Sequence, residues 1–513
     1  MPAQQNNALY TLYRPVRNRA QRYDLFPSLV ALWAYSLHII DGQTLSWQWA
    51  RGAPLGAQLK GMLYPFQMST LAREIILNAQ LEGGGDQDLS TWNGLAELAN
   101  EIRRADERMA RTAAKDRTTQ DIMWELHRQS HHQFPMQQPL TLGTFVRAFK
   151  IFGQPAVDAL LIRRIGMTMM QLLRLGFALQ ANFLRRHDMN ALTDYTEFGI
   201  PLDTSRRFFE EMAADVLALR HRMKARQSYD REWLVTFNEL AQTPLIRVDP
   251  MHPERLLCPV PRLLFDRVTN GVFFDLVKMP GFSDAFGPAF QVYVGEVLQK
   301  ACTAPGFLVS KEQPYQPLKA RLKHGTDWIL SDATGHVFIE CKTKRFAFAA
   351  KMLTDADALD RDLRTFATAI VQHYKNIIDA KNGLTSWNDD GLPVYPLLVT
   401  LDDLYLFGSA VREGLDQHVR TGMMTAGIPL KLLDDMPWQI ASVRELEMVA
   451  QVINQRNIGE ILGPMCQPQF REWSLETFVR QEFITELAAA SNLLFPDDLD
   501  RLFPWEGISR VWE

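Results

Sequence analysis

Three side chains that could act together in catalysis lie on either side of one predicted turn: Asp327, Glu340 and Lys342. The segments TDWIL and HVFIE flank SDATG, a pentapeptide rich in turn-forming residues, and this pattern predicts a β-hairpin. A turn centred near Ala333 places Asp327 opposite either Ile339 or Glu340. Because residues i and i+2 of a strand share a face, Glu340 and Lys342 project together. We therefore expect the three side chains to meet at one end of the hairpin.

Two carboxylates beside a lysine suit the hydrolysis of a phosphodiester bond. Carboxylate oxygens are the ligands that Mg²⁺ prefers, and a bound divalent cation polarises a phosphoryl oxygen and lowers the pKa of a bound water. A neighbouring lysine can orient or deprotonate the attacking water and stabilise negative charge in the transition state. The alternative for the same spacing is an exposed ion pair on a surface hairpin, which contributes little to stability.

The spacing Asp-x12-Glu-x-Lys behind a predicted helix resembles the PD-(D/E)xK, or restriction-endonuclease-like, nuclease superfamily. In that family the aspartate and glutamate bind the metal and the lysine serves catalysis, which implies these roles for Asp327, Glu340 and Lys342. The resemblance also implies Mg²⁺ or Mn²⁺ as the cofactor and the main-chain carbonyl of Cys341 as a further ligand. Thr326 stands where the motif has its proline.

The helix ahead of the hairpin departs from the family pattern. Members often carry a third acid there, and the segment GPAFQVYVGEVL places Gln291 at that position. At about 100° per residue, Gln291 lies at the flank of the apolar face, whereas Glu296 lies farther towards solvent. Because a glutamine adds no negative charge, the alternative function is an inactive nuclease fold that serves as a nucleic-acid-binding or scaffold component. Gln372 on the next helix matches a glutamine of some family members, but it points away from that helix's apolar stripe.

Basic residues are concentrated around the hairpin, although the formal net charge of the chain is −4. Seven basic and four acidic residues lie between 311 and 345, and such a local excess can contact a phosphate backbone. The basic residues are Lys311, Lys319, Arg321, Lys323, Lys342, Lys344 and Arg345. We expect phosphate contacts from Lys323, Lys344 and Arg345, with DNA as the substrate.

Composition divides the 513 residues into three segments. Residues 1–245 repeat apolar positions every three or four residues, which predicts a large all-α domain for recognition, for a protein partner or for self-association. Residues 246–470 alternate strand and helix patterns, which predicts an α/β nuclease core with a mixed central sheet flanked by helices. Residues 471–513 are expected to form a short helical appendix. A nuclease core behind a large helical module resembles bacterial defence or restriction effectors.

Several classes of partner are not expected. The chain has no GxxxxGK[ST] and no GxGxxG motif, so we expect no nucleotide cofactor. Its four cysteines form no CxxC pair, which fits a cytoplasmic protein in a reducing compartment. The longest apolar run, FPSLVALWAY, is shorter than the ~20 residues that span a bilayer, so no membrane partner is expected.

Three local expectations can be compared with the structure. Residues 159–180 are rich in Met and Leu and are expected to form one long core helix. His127, His131 and His132 have a spacing that zinc could use, but no HExxH motif or nearby cysteine accompanies them, so a solvated helix face is expected. Gly335 in the hairpin turn is expected to have a positive φ.

Overall fold

The structure is a computed structural model that describes residues 8–53, 59–81, 83–112, 118–230, 232–311, 313–316, 322–406 and 408–503. Lys319 and Arg321 lie outside these ranges. The helices in chain order are α1 (Ala8–Ala20), α2 (Leu25–Ile40), α3 (Trp47–Ala50), α4 (Leu59–Met62), α5 (Pro65–Asn78), α6 (Trp92–Thr112), α7 (Thr119–Gln137), α8 (Leu142–Phe152), α9 (Pro155–Ile165), α10 (Met169–Phe183), α11 (Leu202–Met212), α12 (Val216–Arg226), α13 (Pro261–Val268), α14 (Val272–Leu276), α15 (Phe282–Ala301), α16 (Phe348–Met352), α17 (Ala356–Lys381), α18 (Gly408–Thr425), α19 (Leu432–Asp435), α20 (Val443–Gln455), α21 (Ile458–Met465), α22 (Leu475–Glu482), α23 (Ile484–Ala489) and α24 (Pro496–Leu502). The strands are β1 (Asp188–Asn190), β2 (Ala213–Asp215), β3 (Leu245–Arg247), β4 (Arg255–Leu257), β5 (Leu308–Lys311), β6 (Trp328–Asp332), β7 (Gly335–Lys342), β8 (Val394–Thr400) and β9 (Gln439–Ser442). Across the described ranges, no helix has both the length and the apolar content needed to cross a bilayer.

A five-stranded sheet forms the centre of the second half, in the order β5-β6-β7-β8-β9. The first three strands are antiparallel, and β7, β8 and β9 are parallel. Helices α15, α20 and α21 contribute to the core on one face of this sheet, and α16, α17 and α18 contribute to the core on the other. The prediction of a mixed sheet flanked by helices is therefore confirmed.

Strand β7 is buried on both faces, and its side chains alternate between two cores. Val337, Ile339 and Cys341 belong to the core on the α15 side, whereas Phe338 belongs to the core on the α17 side. This alternation follows from the two-residue period of a strand. It directs Glu340, two residues beyond Phe338, to the α17 side and confirms that Cys341 points into the opposite core.

The hairpin turn is held by one aspartate. Oδ1 of Asp332 accepts hydrogen bonds from the N–H groups of Thr334 at 2.7 Å and Gly335 at 3.1 Å, while Oδ2 accepts from the N–H of Ile458 at 2.7 Å. The expectation of a positive φ at Gly335 is wrong. A glycine is needed at position 335 because the side chain of Tyr395 lies close to the backbone there: a Cβ would be 2.8 Å from its ring.

The expectation that residues 1–245 are all-α is wrong, because a second sheet begins within them. Its order is β1-β4-β3-β2, with β2 and β3 parallel and the other pairs antiparallel. Each of these strands has three residues, which is too short to produce a recognisable two-residue alternation in the sequence.

The expectation of a single core helix over 159–180 is also wrong, because these residues form parts of two helices, α9 and α10. Gly166 ends α9 with φ 74°, a left-handed conformation that favours glycine. Thr168 then caps α10 by accepting from the N–H of Gln171 at 3.2 Å. Both helices are nevertheless packed in the core, as the apolar composition predicts.

The hydrophobic cores cross the predicted segment boundaries. One core extends from Phe145 to Phe503 and so contains residues of all three predicted segments. A second extends from Tyr13 to Leu263. The boundaries near 245 and 470 stay predictions, but the segments pack against one another through shared apolar cores.

The expectation that the histidines of α7 lie on a solvated helix face is wrong for His127 and His131. His127 is fully buried with Nε2 3.3 Å from the carbonyl oxygen of Ala350, and the ring of His131 packs edge-on against Phe346. His132 is half-buried. Burial lowers the pKa of His127 to about 4. The partners lie more than two hundred residues along the chain, so no local sequence pattern indicated them.

Helix α15 approaches the sheet closely at Gly295. The helix begins at Phe282, so Pro288 lies inside it. A Cβ on Gly295 would overlap the indole ring of Trp328, the first residue of β6. The Nε1–H of that indole donates to the carbonyl oxygen of Gln291 at 2.9 Å. The absence of a side chain at Gly295 therefore sets the distance between α15 and the strand that follows Asp327.

We predict that Gly295→Ala lowers the free energy of unfolding by about 1–3 kcal/mol, because the added methyl group must displace a buried indole ring. The control is Gly414→Ala in α18, where a Cβ would make one ordinary contact, 3.4 Å from a methyl group of Leu363. The control should be neutral or stabilise by up to about 1 kcal/mol, since alanine favours helix over glycine. Urea unfolding of both variants measures the difference. Equal stability of the two variants would contradict the packing described for Gly295.

Candidate active site

Asp327 lies immediately before β6, at the end of the hairpin where β7 carries Glu340. Trp328 pairs with Ile339, and the N–H of Asp327 donates to the carbonyl oxygen of Ile339 at 3.0 Å. Asp327 and Trp328 thus both oppose Ile339, and two residues opposite one are typical of a β-bulge. Of the two partners that the sequence left open for Asp327, the structure has Ile339, and the carboxylates are still close enough for the charge of Glu340 to raise the pKa of Asp327.

Asp327 is held by two hydrogen bonds from different elements. The Nε2 amide of Gln291 in α15 donates to Oδ1 at 2.8 Å, and the N–H of Cys341 donates to Oδ2 at 2.7 Å. Gln291 therefore reaches the hairpin from the position where the family resemblance places an acid. The amide supplies a donor in place of a negative charge.

Glu340 has one bonded and one unbonded carboxylate oxygen. Nζ of Lys342 donates to Oε1 at 2.7 Å, as expected for two side chains on one strand face. Oε2 is buried and has no hydrogen-bond partner in the structure, and the whole residue is only 7% exposed. An unsatisfied buried acceptor costs about 1–3 kcal/mol, so this oxygen requires an explanation.

The two carboxylates and the lysine shift one another's protonation. Burial, and next the negative charge of Glu340, raise the pKa of Asp327 to about 7 against the hydrogen bond from Cys341. Burial alone would lower the pKa of Lys342, but the charge and hydrogen bond of Glu340 outweigh it and raise the pKa above its usual value. Lys342 is therefore a cation at neutral pH, while Asp327 titrates near neutrality in the absence of another positive charge.

His373 is a site residue that sequence reasoning missed. It lies in α17, is 2% exposed, and has Nδ1 3.9 Å from Oε2 of Glu340. Its Nε2 lies 3.0 Å from the carbonyl oxygen of Phe338. Burial lowers its pKa, although the charge of Glu340 acts in the opposite direction. The sequence singled out the neighbouring Gln372, and no local pattern indicated His373.

Gln372 and Glu296 do not reach the candidate site. Gln372 is exposed and donates to Oδ1 of Asn376 at 3.0 Å, in agreement with its predicted position away from the apolar stripe. Glu296 forms an ion pair with Lys150 at 3.2 Å and is 35% exposed. Neither side chain supplies the third acid that the family pattern contains.

The three basic residues expected to contact phosphate are each paired with an aspartate. Lys323 pairs with Asp379 at 2.8 Å, Lys344 with Asp362 at 2.6 Å and Arg345 with Asp402 at 2.6 Å. Lys323 and Lys344 keep 46% and 39% of their side chains exposed, but Arg345 keeps only 10%. The guanidinium of Arg345 also lies over the rings of Phe273 and Phe274. Arg345 therefore packs within the fold, whereas the two lysines stay partly exposed.

The residues present fit a hard divalent cation. Within the described ranges, no group of three or more His, Cys, Asp and Glu side chains is arranged to hold a metal ion. Mg²⁺, however, is commonly held by one or two carboxylates together with waters and substrate phosphates. The unbonded Oε2 of Glu340 and the high pKa of Asp327 both indicate a place where a positive charge is favoured.

Comparisons of the chain with family models, with curated proteins and with solved structures found no match.

Proposed function

We propose that this chain is a divalent-metal-dependent nuclease that hydrolyses phosphodiester bonds, with DNA as the expected substrate. The observation that carries the proposal is the unbonded, buried Oε2 of Glu340 at a sheet end shared with Asp327 and Lys342. Most buried carboxylate oxygens accept a hydrogen bond. A carboxylate with one open oxygen, placed beside a second carboxylate, is instead suited to a cation.

Each side chain of the site has a distinct role in this proposal. Mg²⁺ or Mn²⁺, held by Asp327, Glu340 and the main-chain carbonyl of Cys341, would supply polarisation of the phosphoryl oxygen and a more acidic bound water. Lys342 enters the reaction protonated, because Glu340 raises its pKa. It therefore orients the attacking water and stabilises the negative charge of the transition state as a cation, and it is not the base. Gln291 keeps Asp327 oriented by its amide.

A catalytically inactive nuclease fold that binds nucleic acid or a protein partner is the second candidate. One observation favours it: a neutral amide, that of Gln291, contacts Asp327 where the family resemblance places an acid. Fewer negative charges weaken the binding of a divalent cation. The two candidates differ in whether the full chain binds Mn²⁺ and cuts nucleic acid, so the same set of variants separates them.

We predict that Glu340→Gln and Lys342→Met each reduce cleavage by about 100-fold or more, because each removes a charge that acts on the reacting phosphate. The assay incubates the full chain with supercoiled plasmid, linear duplex, single-stranded DNA and RNA, in Mg²⁺, Mn²⁺ or EDTA. Glu296→Gln is the matched control, since it removes a carboxylate on α15 that lies away from the site. Metal-dependent cutting that survives both site substitutions would refute the assignment, and absence of cutting on every substrate would favour the second candidate.

The raised pKa of Asp327 predicts a dependence of stability on pH. In the unfolded chain this carboxyl loses its proton near pH 3.8, whereas the folded chain holds the proton until about pH 7. Between these values the folded state binds more protons, so the metal-free protein should lose stability as pH rises, by at most about 1.4 kcal/mol per pH unit from this group. Urea unfolding at pH 4.5, 6 and 7.5 measures the slope.

Two comparisons isolate the contribution of Asp327 to that slope. Asp327→Asn removes the titrating group, so the loss of stability with rising pH should be smaller in this variant than in the parent chain. Saturating Mg²⁺ or Mn²⁺ should have the same effect, because the cation favours the charged carboxylate. An unchanged slope in Asp327→Asn would show that other groups cause the pH dependence.

We predict that Gln291→Glu strengthens Mn²⁺ binding by roughly tenfold, since it adds a third carboxylate next to Asp327. Without metal the same change should lower stability, because it replaces a donor to Asp327 by a like charge. Isothermal titration calorimetry and thermal unfolding with and without Mn²⁺ measure the two effects. Glu296→Gln again serves as the control on the same helix. A glutamate at position 291 that changes neither quantity would place this helix position outside the site.

A further inference from the structure

A serine, a histidine and an aspartate meet at the end of the hairpin that lies away from Glu340. Ser331 in β6 lies directly opposite His336 in β7, and its Oγ is 2.7 Å from Nδ1 of the imidazole. Nε2 of the same ring is 3.0 Å from Oδ1 of Asp390, in the loop between α17 and β8. The three side chains therefore form a continuous chain of hydrogen bonds, the arrangement by which a histidine activates a serine as a nucleophile.

The loop that carries Asp390 fixes the direction of this chain. Oδ1 of Asp390 also accepts from the N–H of Leu392 at 3.1 Å, and the hydrogen bond with His336 is the main cause that lowers the pKa of the carboxyl. A charged carboxylate can only accept, so Nε2 of His336 carries the hydrogen between them. In the neutral ring Nδ1 is then an acceptor, and it faces the hydroxyl of Ser331. Either nitrogen of an imidazole can serve as a base, so the chain is complete for removal of the Ser331 proton.

The imidazole is fixed in place, whereas the serine hydroxyl borders open space. His336 is only 5% exposed, and its ring packs edge-on against Trp387 with the ring centres 5.2 Å apart. Ser331 is half-buried and lines a cavity of about 450 Å³, together with His336 and Asp390. Small-molecule sites have volumes of roughly 300–1,000 Å³, so a short substrate fits beside the serine.

The walls of the cavity indicate the kind of substrate. Leu308, Ile329 and Trp387 supply apolar surface, which suits a short acyl chain. Lys311 and Asn388 line the same cavity and carry N–H donors, the groups that stabilise the oxyanion formed when a carbonyl is attacked. An ester of a short carboxylic acid matches both features.

We propose that Ser331, His336 and Asp390 form a second catalytic site, one that hydrolyses short carboxylic esters. Oγ of Ser331 bonds to the carbonyl carbon of the ester while its proton passes to Nδ1 of His336. The bond to the alcohol oxygen then breaks, and the alcohol leaves with that proton. Water attacks the acyl-serine in the same way, which releases the carboxylic acid and restores the hydroxyl of Ser331. No step uses a metal ion, so this site acts independently of Asp327 and Glu340.

The test uses the full chain in EDTA, where the proposed nuclease is inactive. A fluorophosphonate probe should label Ser331, as mapped by peptide mass spectrometry, and the chain should hydrolyse p-nitrophenyl acetate. Ser331→Ala should abolish the label and lower the rate of ester hydrolysis by about tenfold or more. Asp390→Asn should slow both reactions by about tenfold or more, because an asparagine can donate to Nε2 and so favour the hydrogen on Nδ1.

Two variants on the same loop serve as matched controls. Ser386→Ala removes an exposed serine, and Asp389→Asn removes the neighbouring aspartate, which pairs with Lys381 at 3.1 Å. Both should keep the labelling and the ester rate within about twofold of the parent chain, as surface substitutions away from a site usually do. Thermal unfolding checks that each variant is folded.

The outcomes decide the inference without reference to the nuclease, because all of these measurements are made without metal. Labelling of Ser331 that depends on Asp390 supports it. A parent chain with no label at Ser331, an Asp390→Asn variant labelled as fast as the parent, or an ester rate that survives in Ser331→Ala would each overturn it.

Discussion

The cross-strand register of β6 and β7 is the constraint on which the candidate site depends. Strand side chains alternate, so a slip of one residue would exchange the places of Glu340 and Cys341 and put the thiol at the site and the carboxylate in a core. Asp332 opposes such a slip at the far end of the hairpin, because its two oxygens hold the turn and the first turn of α21 together. The geometry at one end of the sheet is therefore fixed from the other end.

Given that register, the fold must hold two carboxylates in a mostly buried position. Three of the four carboxylate oxygens of Asp327 and Glu340 accept a hydrogen bond, and Oε2 of Glu340 is the exception. The donors are the amide of Gln291, the N–H of Cys341 and the ammonium of Lys342. These donors come from α15 and from the same strand as Glu340. The packing of α15 on the sheet therefore determines whether the amide of Gln291 can reach Asp327. The close approach at Gly295 makes that packing possible.

The sequence predicted what depends on local pattern and missed what depends on distant partners. The hairpin, the pairing of Glu340 with Lys342 and the position of Gln291 all follow from two- and 3.6-residue periods, and the structure agrees with them. The burial of His127, the aspartate partner of Arg345 and the position of His373 beside Glu340 are set by segments far along the chain, for which one sequence has no signal. The break at Gly166 is different, because the sequence does contain a signal for it. A glycine is typical of a helix C-terminus and a threonine of a helix N-terminus, but the prediction followed the apolar composition of residues 159–180 and ignored Gly166 and Thr168.

The two carboxylates of the candidate site differ in how their oxygens are satisfied. An amide beside Asp327 lowers the cost of a metal-free site, because it donates a hydrogen bond without adding a like charge. Oε2 of Glu340 has no hydrogen-bond partner, so part of the cost of burial remains at this residue. A third acid in place of Gln291 would leave two unrelieved repulsions in a buried position, and the metal-free fold would bear both. The amide of Gln291 therefore lowers the electrostatic cost of burying Asp327 beside Glu340, while the unbonded Oε2 leaves part of that cost at Glu340.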